Sequence, residues 1–261
     1  MNNELALFHR DLGGAGLPPL VILHGILGSS RNWQTAGGDL AARYHVFALD
    51  LRNHGGSPHA AGMTFETMAD DVLAWIGAQG LARVTLLGHS LGGKVAMLVA
   101  CRHPERVERL IVVDIAPKDY DWAGQRAAFA AMNELDLSHL RSRAEAEQRF
   151  AARVPDGAMR KFLTTNLERT AGGGWTWLIN LPALSAAVPA LERNSLGAGD
   201  KFSGPVLVIS GGRSAYVRAA DWAAVTEHFP AATWKVISEA GHNPHVEARE
   251  AFVSAVKVDA A

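Results

Sequence analysis

A serine flanked by glycines is the residue of this chain best placed to do chemistry. The stretch Gly88-His89-Ser90-Leu91-Gly92 joins a short apolar run, residues 84–87, to a helical pattern that begins at Leu91. A strand that turns this sharply into a helix is typical of a nucleophile elbow, which holds a serine hydroxyl clear of the backbone. Gly88 and Gly92 suit such a turn because it leaves no room for Cβ atoms beside the serine. The plainer alternative is a serine that merely occupies a glycine-rich turn.

A second chemical feature follows an early apolar run, residues 20–23, which ends at His24-Gly25-Ile26-Leu27-Gly28. When an elbow serine attacks a carbonyl, two backbone N–H groups hold the negative oxygen. One comes from the residue after the serine and the other from the loop after an early strand. We therefore assign these oxyanion-hole donors to the backbone N–H groups of Leu91 and Ile26. An ordinary strand-ending turn is the alternative for this loop.

A serine hydroxyl needs a base to take its proton, and His242 is the best candidate among 11 histidines. It lies in a turn, residues 239–245, that follows the last expected strand, and a late loop of this kind is where the histidine belongs. His245 is its rival, although a position at the start of the closing helix favours capping or packing. His89 lies inside the elbow, and we expect its side chain to point away from the nucleophile.

The imidazole must in turn be oriented by a carboxylate. In most chains with this arrangement the acid follows the penultimate strand of the sheet. Here the loop after that strand, residues 210–217, contains no Asp or Glu and carries serine instead. Asp114 ends the preceding strand, from which a carboxylate could reach the same imidazole. We therefore predict Asp114 as the acid, with a hinge residue as its alternative. Two other carboxylates are less suitable as the acid. Asp50 ends a strand that lies on the other side of the elbow strand, and Glu239 is too close in sequence to His242 to face it easily.

Strands that alternate with helices predict an α/β fold with a mainly parallel central sheet flanked by helices. The rhythm breaks after Asp114, so we expect a helical lid inserted before the penultimate strand, over the strand ends where such sheets place active sites. The core domain then comprises residues 1–114 and 202–261, and the lid comprises residues 115–201. No buried strand is expected in the lid. Its helices are expected near residues 123–133, 143–152, 157–168 and 183–193.

Two sets of residues bear on the substrate. Six bulky apolar side chains belong to the lid, and we expect most to form its core and two or three to line an acyl pocket. They are Trp122, Phe129, Met132, Phe162, Trp175 and Trp177. Lys94, Arg52 and Lys118 could attract an anionic leaving group such as coenzyme A, although scattered basic residues are usually just solvated.

Composition bounds the class of protein. A chain of 261 residues can bury a large core, and a formal net charge of −1 gives no electrostatic footprint for nucleic acid or an anionic membrane. The single cysteine, Cys101, excludes an internal disulfide and a cysteine-rich zinc site, and no metal or organic cofactor is expected. The first ten residues lack a sustained apolar core, and no run approaches the roughly 20 apolar residues of a membrane span. We therefore expect a soluble, cytoplasmic protein with a small-molecule acyl ester or thioester as its partner; the oligomeric state stays open.

These motifs resemble the α/β-hydrolase superfamily along essentially the whole chain. The residues that carry this resemblance are His24-Gly25, Gly88 to Gly93, Asp114 and Gly241-His242. Finer stretches are similar to one subgroup, the bacterial YbfF-type esterases and their mitochondrial relatives, whose members take the acid from the earlier strand. Those stretches are residues 50–55, Lys94, residues 112–117 and residues 211–217. The resemblance implies a small helical cap and carboxylesterase or thioesterase activity, with acyl esters or acyl-CoA as substrates.

We therefore predict a serine carboxylesterase that hydrolyses small to medium acyl esters through Ser90, His242 and Asp114 and an acyl-enzyme intermediate. Alternatives with the same triad are an acyl-CoA thioesterase, a lactonase and a cofactor-free haloperoxidase or perhydrolase. A dehalogenase is disfavoured because serine stands where a carboxylate nucleophile would be required. A hydrolase-fold ligand receptor is the alternative from outside the enzymes, and the intact serine, histidine and oxyanion loop argue against it.

Overall fold

A computed structural model describes residues 5–258 of the chain. Residues 1–4 and 259–261, the two ends of the predicted core domain, lie outside the described part. The strands of the described part are β1 (His9–Asp11), β2 (Pro19–Leu23), β3 (His45–Leu49), β4 (Val84–His89), β5 (Val107–Val113), β6 (Leu167–Arg169), β7 (Trp175–Trp177), β8 (Val206–Gly211) and β9 (Ala232–Ile237).

Seven of these strands form the central sheet, in the order β1-β3-β2-β4-β5-β8-β9. β1 is antiparallel to β3, and the other neighbouring strands are parallel. In this register Leu23 lies opposite Gly88 and His89 lies opposite Val113, so the carboxyl ends of β2, β4 and β5 meet at one edge. The predicted mainly parallel α/β sheet is confirmed.

Helices cover both faces of the sheet. They are α1 (Gln34–Leu40), α2 (Phe65–Ala78), α3 (Leu91–Arg102), α4 (Ala123–Glu134), α5 (Arg143–Phe150), α6 (Gly157–Thr164), α7 (Leu181–Leu191), α8 (Trp222–His228), α9 (Pro244–Glu247) and α10 (Arg249–Lys257). α2 and α3 belong to the apolar core on one face, while α1 and α10 pack on the other. None of the helices within residues 5–258 is both long and apolar enough to cross a membrane.

Local sequence explains where the helices beside the site begin. Thr64 starts α2, because its hydroxyl accepts a hydrogen bond from the Thr67 N–H at 3.2 Å. Apolar residues then recur at helical spacing and are buried against the core, as Phe65, Met68 and Val72 show. α3 is buried over residues 91–100, which fits its almost continuously apolar and small-residue sequence.

Between β5 and β8 the chain leaves the central sheet, and we call residues 115–201 the inserted segment. It contains α4 to α7 and also an antiparallel hairpin of β6 and β7, which the sequence analysis did not predict. Only Leu167 of this hairpin is buried, so it is not a buried strand of the kind that was excluded. The predicted helix at residues 157–168 stops at Thr164, because residues 167–169 pair as a strand with residues 175–177 across a turn in which Gly173 adopts a φ of +82°. Three-residue strands are too short for their alternation to be recognised in the sequence.

The bulky apolar side chains of the inserted segment divide into two groups. Trp122, Phe129 and Met132 are completely buried and belong to the same core as α2 and α3. Phe162, Trp175 and Trp177 are only partly buried. The inserted segment therefore shares the protein's main core and keeps a few large side chains near its surface.

Candidate active site

Ser90 occupies a sharply strained turn between β4 and α3. Its φ is +51° and its ψ is −116°, and only 3% of the residue is exposed. A Cβ atom at Gly88 would lie 2.2 Å from the Gly92 carbonyl oxygen, and one at Gly92 would lie 2.5 Å from the Leu23 oxygen. The two glycines are therefore required sterically, and the turn has the form expected of a nucleophile elbow.

Asp114 sits in a matching turn at the end of the neighbouring strand, β5, with a φ of +51°. Left-handed backbone at a residue other than glycine costs on the order of 1–3 kcal/mol and persists only where the surroundings enforce it. Here the next strand supplies the restraint in both cases. The Ser90 N–H donates to the Val113 oxygen at 3.0 Å, and the Asp114 N–H donates to the Ile209 oxygen at 2.8 Å.

The structure brings the predicted acid and base together. His242 Nδ1 and Asp114 Oδ2 are 2.7 Å apart, although the two residues are 128 positions apart in sequence. Asp114 is completely buried, and its carboxylate accepts two further hydrogen bonds, one from the Ser214 hydroxyl and one from the Gly211 N–H at 3.1 Å. A buried carboxylate needs such donors, because water cannot reach it.

The Asp114 contact decides the tautomer of His242. A carboxylate accepts the Nδ1 proton, which leaves Nε2 with its lone pair available to take a proton. Within residues 5–258 no hydrogen bond joins His242 to the Ser90 hydroxyl, and such bonds are often long before a substrate binds. His89, next to Ser90 in the chain, contacts His242 directly, with ring centroids 4.8 Å apart.

The two predicted oxyanion donors have no hydrogen-bond partner within the described chain, whereas their neighbours do. Neither the Ile26 N–H nor the Leu91 N–H is bonded, but the Gly28 N–H donates to Gly25 at 3.0 Å. The Gly92 N–H donates to the His24 oxygen at 3.1 Å, which ties the loop to the elbow. Free N–H groups flanking a serine are what stabilisation of an oxyanion requires.

Comparison with known proteins gives the family. A model described as alpha/beta hydrolase fold matches residues 18–248. The chain belongs to the α/β-hydrolase family. This confirms the predicted superfamily and fold.

Named relatives within the α/β-hydrolase family agree with the predicted enzyme class. The chain is 35% identical over 251 residues to sn-1-specific diacylglycerol lipase ABHD11 of Mus musculus, covering 94% of this chain and 81% of the relative. It is 32% identical over 240 residues to esterase YbfF of Escherichia coli strain K12, covering 92% of this chain and 91% of the relative. A solved structure called marine microorganism esterase superposes with a TM-score of 0.93 at 35% identity, covering 97% of this chain and 98% of that one.

Two buried histidines hold the loop of this α/β-hydrolase that carries Ile26, a role that the sequence analysis missed. His24 donates from Nδ1 to the Gly25 oxygen at 2.8 Å and accepts at Nε2 from the Leu51 N–H at 3.0 Å. His54 donates from Nδ1 to the Arg52 oxygen at 2.9 Å and accepts at Nε2 from the Leu27 N–H at 3.3 Å. Burial lowers the pKa of His24 and lowers the pKa of His54 to about 3, so both rings are neutral.

The two rival histidines, His89 and His245, support the structure around the candidate base. His89 Nε2 donates to the His242 carbonyl oxygen at 2.9 Å, and burial lowers its pKa well below the ordinary value. It thus supports the backbone of the candidate base. His245 stacks on Trp33 with centroids 4.1 Å apart, which agrees with the packing role expected for it. Neither side chain has a hydrogen bond to Ser90 in the described part of the chain.

The three basic residues considered for coenzyme A are all engaged elsewhere. The Lys94 ammonium is fully buried and donates to the last carbonyls of α7 and beyond, at Leu191 (3.2 Å), Glu192 (3.2 Å) and Arg193 (2.5 Å). The Arg52 guanidinium forms a buried pair with Asp71, at 2.5 and 2.7 Å. Lys118 pairs with Asp221 at 2.7 Å. The expectation that such residues are merely solvated was wrong for Lys94 and Arg52.

Residues 5–258 contain no group of three His, Cys, Asp or Glu side chains placed to hold a metal ion. The Cys101 thiol is half-buried, and burial raises its pKa to about 12. A thiol with so high a pKa is a poor nucleophile at neutral pH.

Proposed function

We propose that the protein is a serine carboxylesterase that hydrolyses small to medium acyl esters through a Ser90–His242–Asp114 triad. The observation that carries the proposal is the 2.7 Å hydrogen bond between His242 and the buried Asp114, at the strand end beside the strained Ser90 turn. Relatives named esterase and lipase support an ester as the substrate.

In the first half-reaction, His242 Nε2 takes the proton from the Ser90 hydroxyl while Oγ forms a bond to the ester carbonyl carbon. The carbonyl π electrons move onto oxygen, and this oxyanion accepts hydrogen bonds from the free N–H groups of Ile26 and Leu91. When the intermediate collapses, the bond to the alcohol oxygen breaks. That oxygen takes the proton from His242 and leaves as the alcohol, so that an acyl group remains on Ser90.

In the second half-reaction, water gives a proton to His242 Nε2 and its oxygen attacks the acyl carbon. Collapse breaks the bond to Ser90 Oγ, which recovers the proton, and the carboxylic acid departs. Asp114 keeps the Nδ1 proton in place throughout and stabilises the imidazolium formed in each step. The Ser214 hydroxyl and the Gly211 N–H stabilise the Asp114 carboxylate in turn.

We extend the proposal to the domain organisation. Residues 115–201 act as a lid over a core formed by residues 1–114 and 202–261. Trp175 is covered by Arg143 and Arg169, whose guanidinium carbons lie 5.4 and 4.2 Å from its ring centroid. Phe162 and Trp177, which are partly buried, are therefore the better candidates to face an acyl chain.

An oxygen ester is preferred to acyl-CoA as the substrate. The basic residues that could have attracted coenzyme A are already paired with carbonyl oxygens, Asp71 or Asp221. A cytoplasmic location is also part of the proposal, in keeping with a single cysteine.

The test uses labelling by a fluorophosphonate together with hydrolysis of p-nitrophenyl butyrate. Ser90→Ala should abolish both, since no other activated hydroxyl is proposed, whereas Ser254→Ala, an exposed serine on α10, should change neither. Full labelling or undiminished turnover in Ser90→Ala would discard the serine assignment. A series of p-nitrophenyl esters beside the matching acyl-CoAs then defines the substrate: faster thioester than ester hydrolysis would contradict the preference for oxygen esters.

A further inference from the structure

Tyr216 lies against the candidate base. Its ring stacks on the His242 imidazole with centroids 3.9 Å apart and planes inclined by 19°. The face of an aromatic ring is electron-rich and attracts a cation placed over it. In the mechanism above, His242 becomes a cation in each half-reaction, directly against this face.

The backbone of Tyr216 is fixed on both sides. Its N–H donates to the Ser214 hydroxyl at 3.2 Å, and that hydroxyl donates to Asp114. Its carbonyl oxygen accepts from the Tyr120 hydroxyl at 2.7 Å, which itself accepts from the Ala116 N–H at 2.8 Å. The backbone that carries the ring is therefore held by Ser214 on one side and by the first residues of the inserted segment on the other.

The hydroxyl of Tyr216 makes a separate contact with the inserted segment. Gln125 Nε2, on α4, donates to the Tyr216 hydroxyl oxygen at 2.9 Å. Burial raises the pKa of Tyr216, so the phenol stays neutral at any ordinary pH. One side chain thus touches the base with its ring and the inserted segment with its hydroxyl.

We propose that Tyr216 is a positioning residue whose ring orients His242 and stabilises its protonated form. Its hydroxyl, through Gln125, makes that orientation depend on the position of α4. The inference rests on the proposed role of His242. Other titratable groups also face the His242 segment, and all are left intact in the variants below. They are Asp114, His89, His245 and, through hydrogen bonds from the Gly241 and Asn243 N–H groups, Glu247.

The experiment measures kcat and KM for p-nitrophenyl butyrate across the pH range in which activity appears. Tyr216→Leu, which removes the ring face, should lower kcat about 5- to 30-fold with little change in KM. It should also move the acidic limb of the kcat/KM profile to lower pH, by about half a unit to one unit, because the imidazolium loses its partner. Tyr44→Leu is the control. It removes a tyrosine ring buried with Leu40 in the core on the opposite face of the sheet, under α1 and α10, and should change neither kcat nor the acidic limb.

The hydroxyl link is tested separately. Tyr216→Phe keeps the ring face and loses the Gln125 contact, so kcat should fall about two- to threefold with the acidic limb unmoved. Gln125→Leu should have the same effect, and the double variant should be no worse than either single one, because both remove the same contact. This pair tests the link even if Tyr216→Leu does not fold.

Two results would overturn the inference: a Tyr216→Leu profile with unchanged kcat and acidic limb, or additive effects of Tyr216→Phe and Gln125→Leu. Labelling of the unaltered protein by a fluorophosphonate separates this outcome from failure of the proposed function. A protein that is labelled but indifferent to Tyr216→Leu rejects only the role of Tyr216. A protein that is not labelled at all rejects the triad.

Discussion

The two sides of Ser90 are built from different kinds of contact. On the oxyanion side, His24 and His54 bond only to backbone atoms, and their rings, 4.8 Å apart, are neutral and fully buried. On the base side, Asp114 and His242 meet side chain to side chain, with Ser214 and Tyr216 against them. In the proposed mechanism, the oxyanion side only has to hold the Ile26 N–H still, whereas the base side has to move protons and carry charge.

The difference has a physical reason. A neutral imidazole that accepts from one backbone group and donates to another completes the hydrogen bonding of a buried loop without bringing in charge. A proton carrier must instead be free to become charged, and a carboxylate and an electron-rich ring beside it both stabilise the charged form. Variants on the two sides should therefore fail in different ways.

The largest effect is expected on the base side. Asp114→Asn keeps the shape of the side chain but no longer accepts the Nδ1 proton as an anion, so kcat for p-nitrophenyl butyrate should fall on the order of 10²- to 10⁴-fold. Asp39→Asn, at a carboxylate 46% exposed, should leave kcat unchanged. A loss below about threefold in Asp114→Asn would favour its alternative role as a hinge.

A smaller loss is expected on the oxyanion side. His54→Leu leaves the Leu27 N–H and the Arg52 carbonyl without their partner, so the loop that carries the Ile26 N–H should shift. We expect kcat to fall about 10- to 100-fold, as displacement of a preorganised donor does. The acidic limb of the pH profile should stay in place, in contrast to Tyr216→Leu.

The control for this variant is His59→Leu, which removes a more exposed histidine of the loop after β3; within residues 5–258 it bonds only the Leu178 oxygen. Its kcat should stay close to that of the parent protein. If His54→Leu hydrolyses the ester as fast as His59→Leu, the buried histidine does not hold the oxyanion loop in its working position, and the contrast between the two sides fails.

The smallest effect concerns stability in acid. Burial lowers the pKa of His54 and of His245 to about 3, from an ordinary 6.5. Between these values the unfolded chain binds more protons than the folded one. The free energy of unfolding therefore falls as the pH drops below 6.5 and goes on falling toward about 3, by about 1 kcal/mol per pH unit for each such histidine.

His245→Phe isolates one of these contributions. It preserves an aromatic ring against Trp33, and among the described residues the His245 Nδ1 has no hydrogen-bond partner to lose. In urea unfolding, this variant should lose stability less steeply in acid than the parent, by about 1 kcal/mol per pH unit. His103→Phe, at a side chain 44% exposed, should keep the parent slope. Equal slopes in all three proteins would mean that His245 accepts a proton in the folded state.

Much of this arrangement could be predicted from the sequence because it is encoded in short local patterns. The glycines around the serine pointed to Ser90. The apolar runs, together with a loop at residues 210–217 that contains no Asp or Glu, pointed to Asp114. The structure places these two residues on adjacent strand ends. The sheet was predictable for the same reason, since buried parallel strands read as continuous apolar runs.

The supporting residues could not be found in this way. His89, Ser214 and Tyr216 act across the sheet, through contacts that depend on β5 lying between β4 and β8. Nothing in a single sequence marks which of several histidines or tyrosines will face another strand. The presence of serine at residues 210–217 was visible, but its hydrogen bond to Asp114 follows only from the fold.

Lys94 has a further consequence for how the inserted segment is attached to the sheet. Its ammonium lies between the rings of Phe65, Tyr120 and Trp122, at 5.0 to 5.7 Å from their centroids, and the end of α7 supplies its carbonyl partners. Lifting that end would leave a cation shielded from water with nothing to solvate it, which is a costly state. The buried ammonium therefore anchors the end of α7, and with it this corner of the inserted segment, to α3.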